Sequence, residues 1–331
     1  MKIITFLSDF GLKDGYVAQM KGVASEISDA RLVDITHEIT PHNISEGAFV
    51  LRSVVPYFPK GTVHVAVVDP GVGTERKGII VTTRKHVLIG PDNGLLMPAA
   101  HTFADFVIYE ITNKKYMLSS LSNTFHGRDI FASVAAHITN DVSFEEIGRR
   151  INDFVDLDFG WGERKENIVT GKIIHIDRFG NVITNILADM MLDVICFNKK
   201  IKVSVGKNTV EIPFVRSYGF VKKREMLATI GSSNFFEIGI NQGRAAKKLS
   251  VKEGDIVKIV FEVICFNKKI KVLVGKNTVE IPFVLSYGFV KKREMLATIG
   301  SSNFFEIGIN QGSAAKKLSV KEGDIVKIVL D

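Results

Sequence analysis

The fold class follows from residues 2–39, where "KIITFLSDF" (2–10) precedes "GYVAQMKGVASEI" (15–27) and "ARLVDITHEI" (30–39). The first segment is an apolar run that ends in polar residues, the second has apolar residues at helical spacing, and the third is again typical of a strand. Residues 44–58 and 62–73 continue the alternation as a helix and a strand. Strands that alternate with helices predict a mostly parallel α/β sheet.

The pattern changes after Asn167. Short strand-like segments such as "NIVTGKIIHIDRFGNVITNI" (167–186) and "KIKVSVGKNTVEIPFV" (200–215) follow one another with Gly or Asn turns between them. This pattern is typical of a small antiparallel barrel or sandwich, and we adopt the barrel. The linker is expected at "DFGWGERKEN" (158–167). We therefore predict an α/β catalytic domain over 1–160 and a β-barrel domain over 167–262.

A tandem duplication follows the start of the barrel. Residues 194–262, called repeat one here, recur as residues 263–331, called repeat two. A solenoid needs roughly three or more units, so a duplication is the better interpretation. Either repeat one completes the barrel, or repeat two replaces it and repeat one is looped out. We favour repeat one, because the apolar surface of a looped-out repeat one would have to be covered by other residues. The repeats differ only at Ser204/Leu273, Arg216/Leu285, Arg244/Ser313, Phe261/Leu330 and Glu262/Asp331.

Composition excludes several classes of protein. The 331 residues are 46% hydrophobic, enough for a real core, yet no apolar run reaches the roughly 18 residues of a membrane span. No signal peptide is recognisable, so we expect a cytoplasmic protein without a membrane partner. The two cysteines occupy the same position of the two repeats, which argues against a disulfide framework. Residues 1–193 hold 19 basic and 24 acidic residues, so the net charge of +7 comes from the repeats and predicts no nucleic-acid partner.

Three polar clusters lie where strands end or helices begin. They are "SDFGLKDGY" with Asp9 and Asp14, "VVDPGVGTER" with Asp69 and Arg76, and "TFHGRD" with His126. Ligands of open α/β sheets bind outside the carboxyl ends of the strands. One such aspartate alone is as readily a helix cap or a turn residue, but three clusters at equivalent ends favour a site.

These clusters point to an oriented water rather than to a covalent intermediate. An aspartate paired with an arginine stays ionised, and a nearby histidine can order or deprotonate a water molecule. No G-x-S-x-G elbow carries a nucleophile. "DPGVG" lacks the further glycine of a dinucleotide fingerprint, and no compact ligand spacing marks a metal site. We expect neither a cofactor nor a metal.

The combined motifs resemble one enzyme family in their order along the chain. They are "SDFGLKDGYVAQMKG", "DITHEITPHNISEGAF", "VVDPGVGTER", "GPDNGLL", "TFHGRDIFA", "IDRFGNVITNI" and "IGSSNFFEIGINQGRAA". From Met1 to about Val260 the chain is similar to the S-adenosyl-L-methionine (SAM) hydroxide adenosyltransferase family, formerly domain of unknown function 62, whose fold also houses fluorinases and chlorinases. The resemblance implies that water attacks the 5′ carbon of SAM, which yields adenosine and L-methionine.

The resemblance also implies a role for each group of polar residues. Asp69, Arg76 and His126 would position and polarise the water. Among the substrate carboxylates, Asp9 would accept the ribose hydroxyls, and Asp14 and Asp177 would face the methionine amino group.

The other substrate residues implied by the resemblance lie in the barrel. Phe179 and Tyr218 would sandwich adenine, and Asn181 would bond its polar edge. The carboxylate end of the substrate would bind Ser232 and Ser233. Glu237, in the same segment, is a further expected substrate-binding residue. We expect Ser232→Ala to weaken substrate binding more than its counterpart Ser301→Ala.

The family resemblance implies a homotrimer whose sites lie at subunit interfaces, with the small-molecule substrate between the α/β domain of one subunit and the barrel of the next. Two other functions stay open. One is a halide-dependent, chlorinase-like adenosyl transferase, which a carboxylate at Asp69 disfavours because it repels halide. The other is a non-catalytic module that binds SAM.

Overall fold

The chain divides into two units in this computed structural model. The first unit ends at Gly160 and the second begins at Trp161. The structure describes residues 2–192, 195, 197–261, 269–284, 286–300 and 304–329. Both cysteines and Ser301 lie outside these described residues.

The first unit alternates strands with helices at its start and then changes to hairpins. Its strands are β1 Ile3–Ser8, β2 Arg31–Thr36, β3 Val63–Val67, β4 Gly78–Thr83, β5 Val87–Pro91, β6 Phe106–Ile111 and β7 Gly148–Ile151. Its helices are α1 Tyr16–Ile27, α2 Ile44–Val54, α3 Met97–Ala100, α4 Ser133–Thr139 and α5 Phe144–Ile147.

The sheet of the first unit is mixed, which corrects the expectation of a mostly parallel sheet. Its strand order is β2-β1-β3-β5-β4-β6-β7. The pairings within β2-β1-β3-β5 are parallel, whereas β5-β4, β4-β6 and β6-β7 are antiparallel. The antiparallel half arises because β4 and β5 are joined by a short turn, and a parallel connection needs a crossover of a dozen or more residues.

Local sequence explains the two long helices. Helix α1 buries Val17, Met20 and Ala24, which lie three and four residues apart and so share one face. Helix α2 begins at Asn43, whose side chain accepts a hydrogen bond from the Glu46 amide. It ends at Val54 rather than at Phe58 because Pro56 opens a short 3₁₀ turn.

The second unit contains a closed barrel of seven strands. Its elements are β8 Glu163–Lys165, β9 Ile168–Ile176, β10 Val182–Leu187, α6 Ala188–Leu192, β11 Lys199–Val205, β12 Asn208–Phe214, β13 Met226–Ile230, β14 Phe235–Ile240, α7 Ala245–Leu249 and β15 Ile256–Val260. The strands β10-β14-β13-β12-β11-β15-β9 follow in order, and β9 pairs again with β10 to close the ring. The pairs are antiparallel except for a parallel contact of Phe214 with Ala228. Strand β8 lies within the segment expected to be a linker and pairs with β9.

Repeat one supplies the barrel strands that follow the β9–β10 hairpin. Strand β14 pairs with β10 and strand β15 pairs with β9. Repeat two forms the corresponding strands without such a hairpin, as a sheet of three strands and a sheet of two. Its elements are β16 Lys269–Val274, β17 Asn277–Pro282, β18 Met295–Ile299, β19 Phe305–Ile309, α8 Ala314–Leu318 and β20 Val326–Val329.

Two kinds of feature are absent from the described residues. None of their helices has the length and apolar character needed to cross a bilayer. No group of three or more His, Cys, Asp or Glu side chains within them is arranged to hold a metal ion.

Candidate active site

Asp69 lies in the tight turn that follows β3. The turn is closed by hydrogen bonds from the Val72 amide to the Asp69 carbonyl, 3.2 Å, and from the Thr74 hydroxyl to the Gly71 carbonyl, 2.7 Å. Gly73 has a φ of +78°, and a Cβ there would overlap the backbone carbonyl of Asn123. Glycine therefore lets this turn approach the loop that leads to His126.

Arg76 binds the Asp69 carboxylate with two arms of its guanidinium. Its Nε donates to Oδ2 over 2.9 Å and to Oδ1 over 3.1 Å, and Nη2 also donates to Oδ2. The side chains of Asp69 and Arg76 are 5% and 11% exposed, so water screens this pair weakly. The guanidinium also stacks over the Phe131 ring, 5.2 Å from its centroid. These contacts fix the orientation of Arg76.

His126 is the next member of this chain of contacts. Arg76 Nη2 donates to His126 Nδ1 over 2.9 Å. Because a guanidinium only donates, Nδ1 must carry a lone pair, which places the ring hydrogen of the neutral imidazole on Nε2. Burial and the neighbouring Arg76 charge both lower the pKa of His126 below its usual value. The neutral ring can thus donate a hydrogen bond from Nε2 to a water oxygen.

The segment after His126 is capped by His126 itself and not by the acidic residue Asp129. Residues Gly127–Ala132 form a π-helical stretch that continues into α4, and His126 itself is the N-cap residue. Asp129 is fully buried inside this stretch. Its carboxylate accepts hydrogen bonds from the Ser122 amide and from Arg128 Nε, both at 2.6 Å. Asp129 therefore anchors the loop that carries His126.

Asp9 and Asp14 lie in the loop between β1 and α1. Asp9 Oδ2 accepts a hydrogen bond of 2.9 Å from the backbone amide of His42. A carboxylate has further acceptor positions, so this bond leaves Asp9 able to accept from a ligand. Asp14 is exposed just before α1. The structure thus places both residues at the carboxyl end of β1, as the sequence predicts for this edge of the sheet.

A chain of polar contacts through the buried Ser8 and His37, which the sequence reading missed, supports the Asp9 loop. His37 Nδ1 and the Ser8 hydroxyl are 2.7 Å apart, and His37 Nε2 lies 3.1 Å from Asp34 Oδ1. The His37 carbonyl also accepts from the Gly11 amide over 2.7 Å. His37 therefore holds both sides of Asp9. The only sequence signal was its position at the end of β2.

In the barrel, Asp177 and Asn181 close the turn between β9 and β10. The Asn181 amide donates to Asp177 Oδ1, and its side-chain Nδ2 donates to Oδ2, both over 2.8 Å. Gly180 between them has a φ of +81°, which favours glycine. Phe179 at the tip of the turn is 73% exposed, so it offers a free aromatic face.

Tyr218 and Glu237 form a second bonded pair in the barrel. The Tyr218 hydroxyl donates to Glu237 Oε1. Burial, and then the bond to Glu237, raise the pKa of Tyr218. Burial also raises the pKa of Glu237, to which the nearby Asp177 charge contributes. The Tyr218 ring packs against Gly239, where a Cβ would overlap it.

An open groove of about 1140 Å³ brings together all three residues expected to bind adenine, Phe179, Asn181 and Tyr218. Sequence reasoning missed the cationic residues that share its lining: Arg178, Arg224, Arg244, Lys247 and Lys248. Arg178 and Arg244 lie within the "DRFGN" and "INQGRAA" motifs and the two lysines directly follow the second, whereas Arg224 lies in "VKKREM" (221–226), outside both. Ser232 and Ser233 are not part of this lining and lie in the turn between β13 and β14, next to Gly231, over which the Glu237 carboxylate lies.

Comparison with known proteins assigns both units to one family. Residues 4–148 match the model of the SAM hydroxide adenosyltransferase N-terminal domain. Residues 171–258 and 260–327 each match the model of the corresponding C-terminal domain, so repeat two is recognised as a second, partial match.

Similar proteins carry the names of two activities. A protein of Methanocaldococcus jannaschii named (R)-S-adenosyl-L-methionine hydrolase is 40% identical over 271 residues, which cover 79% of this chain and 97% of the relative. A Thermus thermophilus protein of the same name is 34% identical and is covered over its full length, against 78% of this chain. A fluorinase of Actinoplanes is more distant, with 25% identity over 78% of this chain and 97% of its own.

A solved structure shares the fold. It is an uncharacterized conserved protein from Thermotoga maritima, with 38% sequence identity and a TM-score of 0.76, and the match covers 78% of this chain and all of that chain. Family models and relatives agree over both units. The chain belongs to the SAM hydroxide adenosyltransferase family.

Proposed function

We propose that this protein hydrolyses SAM to adenosine and L-methionine. Relatives at 34–40% identity bear the name of this hydrolase over nearly their whole length. The observation that carries the proposal is the hydrogen-bonded chain Asp69–Arg76–His126, which ends in a neutral imidazole with a donor at Nε2. Such a donor, beside a fixed guanidinium, suits an attacking water oxygen.

The reaction needs an oriented nucleophile more than an acid. The water oxygen forms a bond to C5′ of the ribose while the C5′–S bond breaks, and the bonding electron pair returns to sulfur as the neutral thioether of methionine. One proton leaves the attacking water for solvent. Because a sulfonium is already a good leaving group, the contributions of the protein are orientation and exclusion of bulk water.

In this proposal His126 and Arg76 hold the water and stabilise the hydroxide character that its oxygen gains as one proton leaves for solvent. Removing one such donor from an active site commonly costs about 10²–10³ in kcat. Asp69 keeps the guanidinium in place and partly offsets its charge. Neutral His126 is needed because Nδ1 must accept the bond from Arg76.

The substrate residues are assigned by the same proposal. Asp9 accepts the ribose hydroxyls, and Asp14 and Asp177 attract the ammonium of the methionine part. Phe179 and Tyr218 stack on adenine, a role that their shared groove supports. Polar contacts to the adenine edge and the carboxylate come from Asn181, Ser232, Ser233 and Glu237.

The proposal includes the organisation of the protein. Residues 1–160 are the catalytic domain, 167–262 the substrate-binding barrel and 263–331 its partial duplicate. The protein acts as a homotrimer in which the α/β domain of one subunit and the barrel of the next share a substrate. It needs no cofactor or metal, and it works in the cytoplasm.

Product analysis tests the proposal directly. The protein is incubated with SAM at high chloride concentration, and the nucleosides are separated by chromatography. Adenosine together with an equal amount of methionine is the expected result. 5′-Chloro-5′-deoxyadenosine as the main product would assign a halide transferase instead. Tight binding in calorimetry without any product over a day would assign a binding module.

A further inference from the structure

Repeat two reproduces five strands of the barrel with the same register. Lys271 pairs with Glu280 as Lys202 pairs with Glu211 in repeat one. The same correspondence holds for β18 with β19 and for β16 with β20. Even the parallel contact recurs, as Phe283 with Ala297. Repeat two is therefore a barrel that lacks its two closing strands.

The edges that the closing strands cover in repeat one are open in repeat two. In repeat one, Ile238 of β14 faces Val182 of β10, and Val257 of β15 faces Gly171 of β9. Within the described part of the chain, no strand pairs with the equivalent edges of β19 and β20. With respect to the described strands, the outward backbone N–H and C=O groups of these edges can pair with another strand.

Side chains near these edges are exposed where their counterparts are buried. Val257 and Ile259 are fully buried in repeat one, whereas the equivalent Val326 and Ile328 are 47% and 41% exposed. Phe304 is 75% exposed, and its counterpart Phe235 is 1% exposed. Apolar surface beside an unpaired strand edge is typical of an interaction surface.

The chain has one β9–β10 hairpin for two repeats. A single hairpin can close only one of the two repeats, so the edges of the other need a different partner. If the hairpin moved to repeat two, repeat one would expose the same edges and the same core. Exchange of hairpins between molecules leaves the number of open repeats unchanged for the same reason. Strands from the repeat two of another molecule would cover the edges without opening repeat one.

The direction and charge of the two edge strands fit such a pairing. Through their pairings in repeat two, β19 and β20 run antiparallel to one another. A two-fold axis along the strands would place β19 of one molecule antiparallel to β20 of the other at both seams. This arrangement sets Glu306 of β19 beside a strand that carries Lys327, whereas pairing of β20 with itself would bring like charges together.

We propose that repeat two is a self-association surface, through which two molecules of this chain form one closed barrel with five strands from each. The surface is separate from the residues assigned to SAM hydrolysis, so the inference stands or falls independently of that activity. The full chain is then expected to form particles with twice the mass of the particles that it would form if the edges of β19 and β20 stayed unpaired.

Sedimentation of the full chain and of an edge variant tests this proposal. Val326→Lys/Ile328→Lys places two charges in the seam, and Thr278→Lys/Ser286→Lys adds two lysines at exposed positions away from both edges. We expect the edge variant to have half the mass of the wild type and the control to keep the full mass. Equal masses for wild type and edge variant between about 1 and 100 µM would overturn the proposal.

Two measurements guard against a variant that disturbs repeat two itself. Amide hydrogen exchange of wild-type residues 305–309 and 325–329 is expected to slow as protein concentration rises, and rates independent of concentration would overturn the proposal.

Thr170 pairs with Lys258 in repeat one, so Lys327 is the equivalent position in repeat two. In a Cys196→Ser/Cys265→Ser background, a disulfide formed by Thr170→Cys/Lys327→Cys would show that the hairpin moves, which also contradicts the proposal.

Discussion

Arg76 donates a hydrogen bond of 2.9 Å from Nη2 to Nδ1 of His126, and this bond determines what the imidazole can do. With Nδ1 occupied as an acceptor, the ring hydrogen is on Nε2. In the proposed reaction His126 orients a water by donating to it, and the arginine charge disfavours protonation of the ring. The orientation of the attacking water in the proposed hydrolysis depends on this hydrogen bond.

Changing His126 should affect turnover more than substrate affinity. We expect His126→Ala to lower kcat by about 10²–10³ with little change in KM, because in the proposed reaction the side chain contacts the attacking water and not SAM. His126→Asn should retain more activity, since an amide can accept from Arg76 and donate to water. His101→Ala, at an exposed histidine, is the control. A collapse of SAM affinity in calorimetry of His126→Ala would instead make His126 a binding or structural residue.

The duplication offers a matched control for the adenine groove. Tyr218→Ala removes an aromatic face and leaves Glu237 buried without its hydroxyl partner, so KM for SAM should rise by about tenfold or more. Tyr287→Ala makes the same change in repeat two, where Tyr287 bonds Glu306 over 2.8 Å. We expect no change in KM for that variant. Equal losses in steady-state kinetics would show that both repeats bind substrate.

Mixing two inactive variants tests whether subunits share their sites. In the proposed trimer, His126→Ala spoils the α/β domain and Tyr218→Ala spoils the barrel. Random mixed trimers then contain sites built from one intact part of each subunit, and about a quarter of wild-type activity should return after subunit exchange. Each variant exchanged with itself is the control. Mixed trimers that stay inactive would place both parts of the site in one subunit.

A buried histidine pair predicts that stability falls in acid. His64 Nδ1 lies 2.7 Å from the Thr5 hydroxyl and Nε2 lies 3.4 Å from His86, and burial followed by the His86 charge lowers the pKa of His64 to about 3. The unfolded chain, with a histidine pKa of about 6.5, binds the proton more readily. The contribution of neutral His64 to stability is therefore fully present above about pH 6.5 and is lost as pH falls toward 3.

Denaturant unfolding between about pH 6.5 and 4 measures this effect. His64 should contribute a slope of about 1.4 kcal/mol per pH unit to the free energy of unfolding. The comparison is with His64→Asn, in which the side chain at position 64 does not titrate. The free energy of unfolding of that variant should change less steeply with pH. Parallel curves for the two proteins would contradict the assignment.

The parts of the fold that local sequence patterns determine were predictable. The alternation over residues 2–73 predicted β1, α1, β2, α2 and β3, because apolar spacing fixes which face of each element is buried. The direction of β4 and β6 was not predicted, because strand direction depends on connections and not on periodicity. The predicted end of α2, at Phe58, was four residues too late. The apolar spacing continues past Val54, but Pro56 ends the α-helix there.

The candidate site shows the same division. Asp69, Arg76 and His126 could be proposed from their motifs, but the path Asp69–Arg76–His126 needed coordinates, since fifty residues separate Arg76 from His126. The support of the Asp9 loop by Ser8 and His37 gave no sequence pattern of its own. A side chain that bonds a residue on a neighbouring strand, as His37 bonds Ser8, is far from its partner in sequence, so no local sequence motif indicates the contact.

Isotope labelling tests the central claim most directly. The protein is incubated with SAM in water enriched in heavy oxygen, and the adenosine product is analysed by mass spectrometry with fragmentation of the ribose. The account predicts one heavy oxygen in adenosine, at the 5′ hydroxyl, because solvent water is the nucleophile at that carbon. Adenosine without the label, or with the label at another position, would contradict attack of water on C5′.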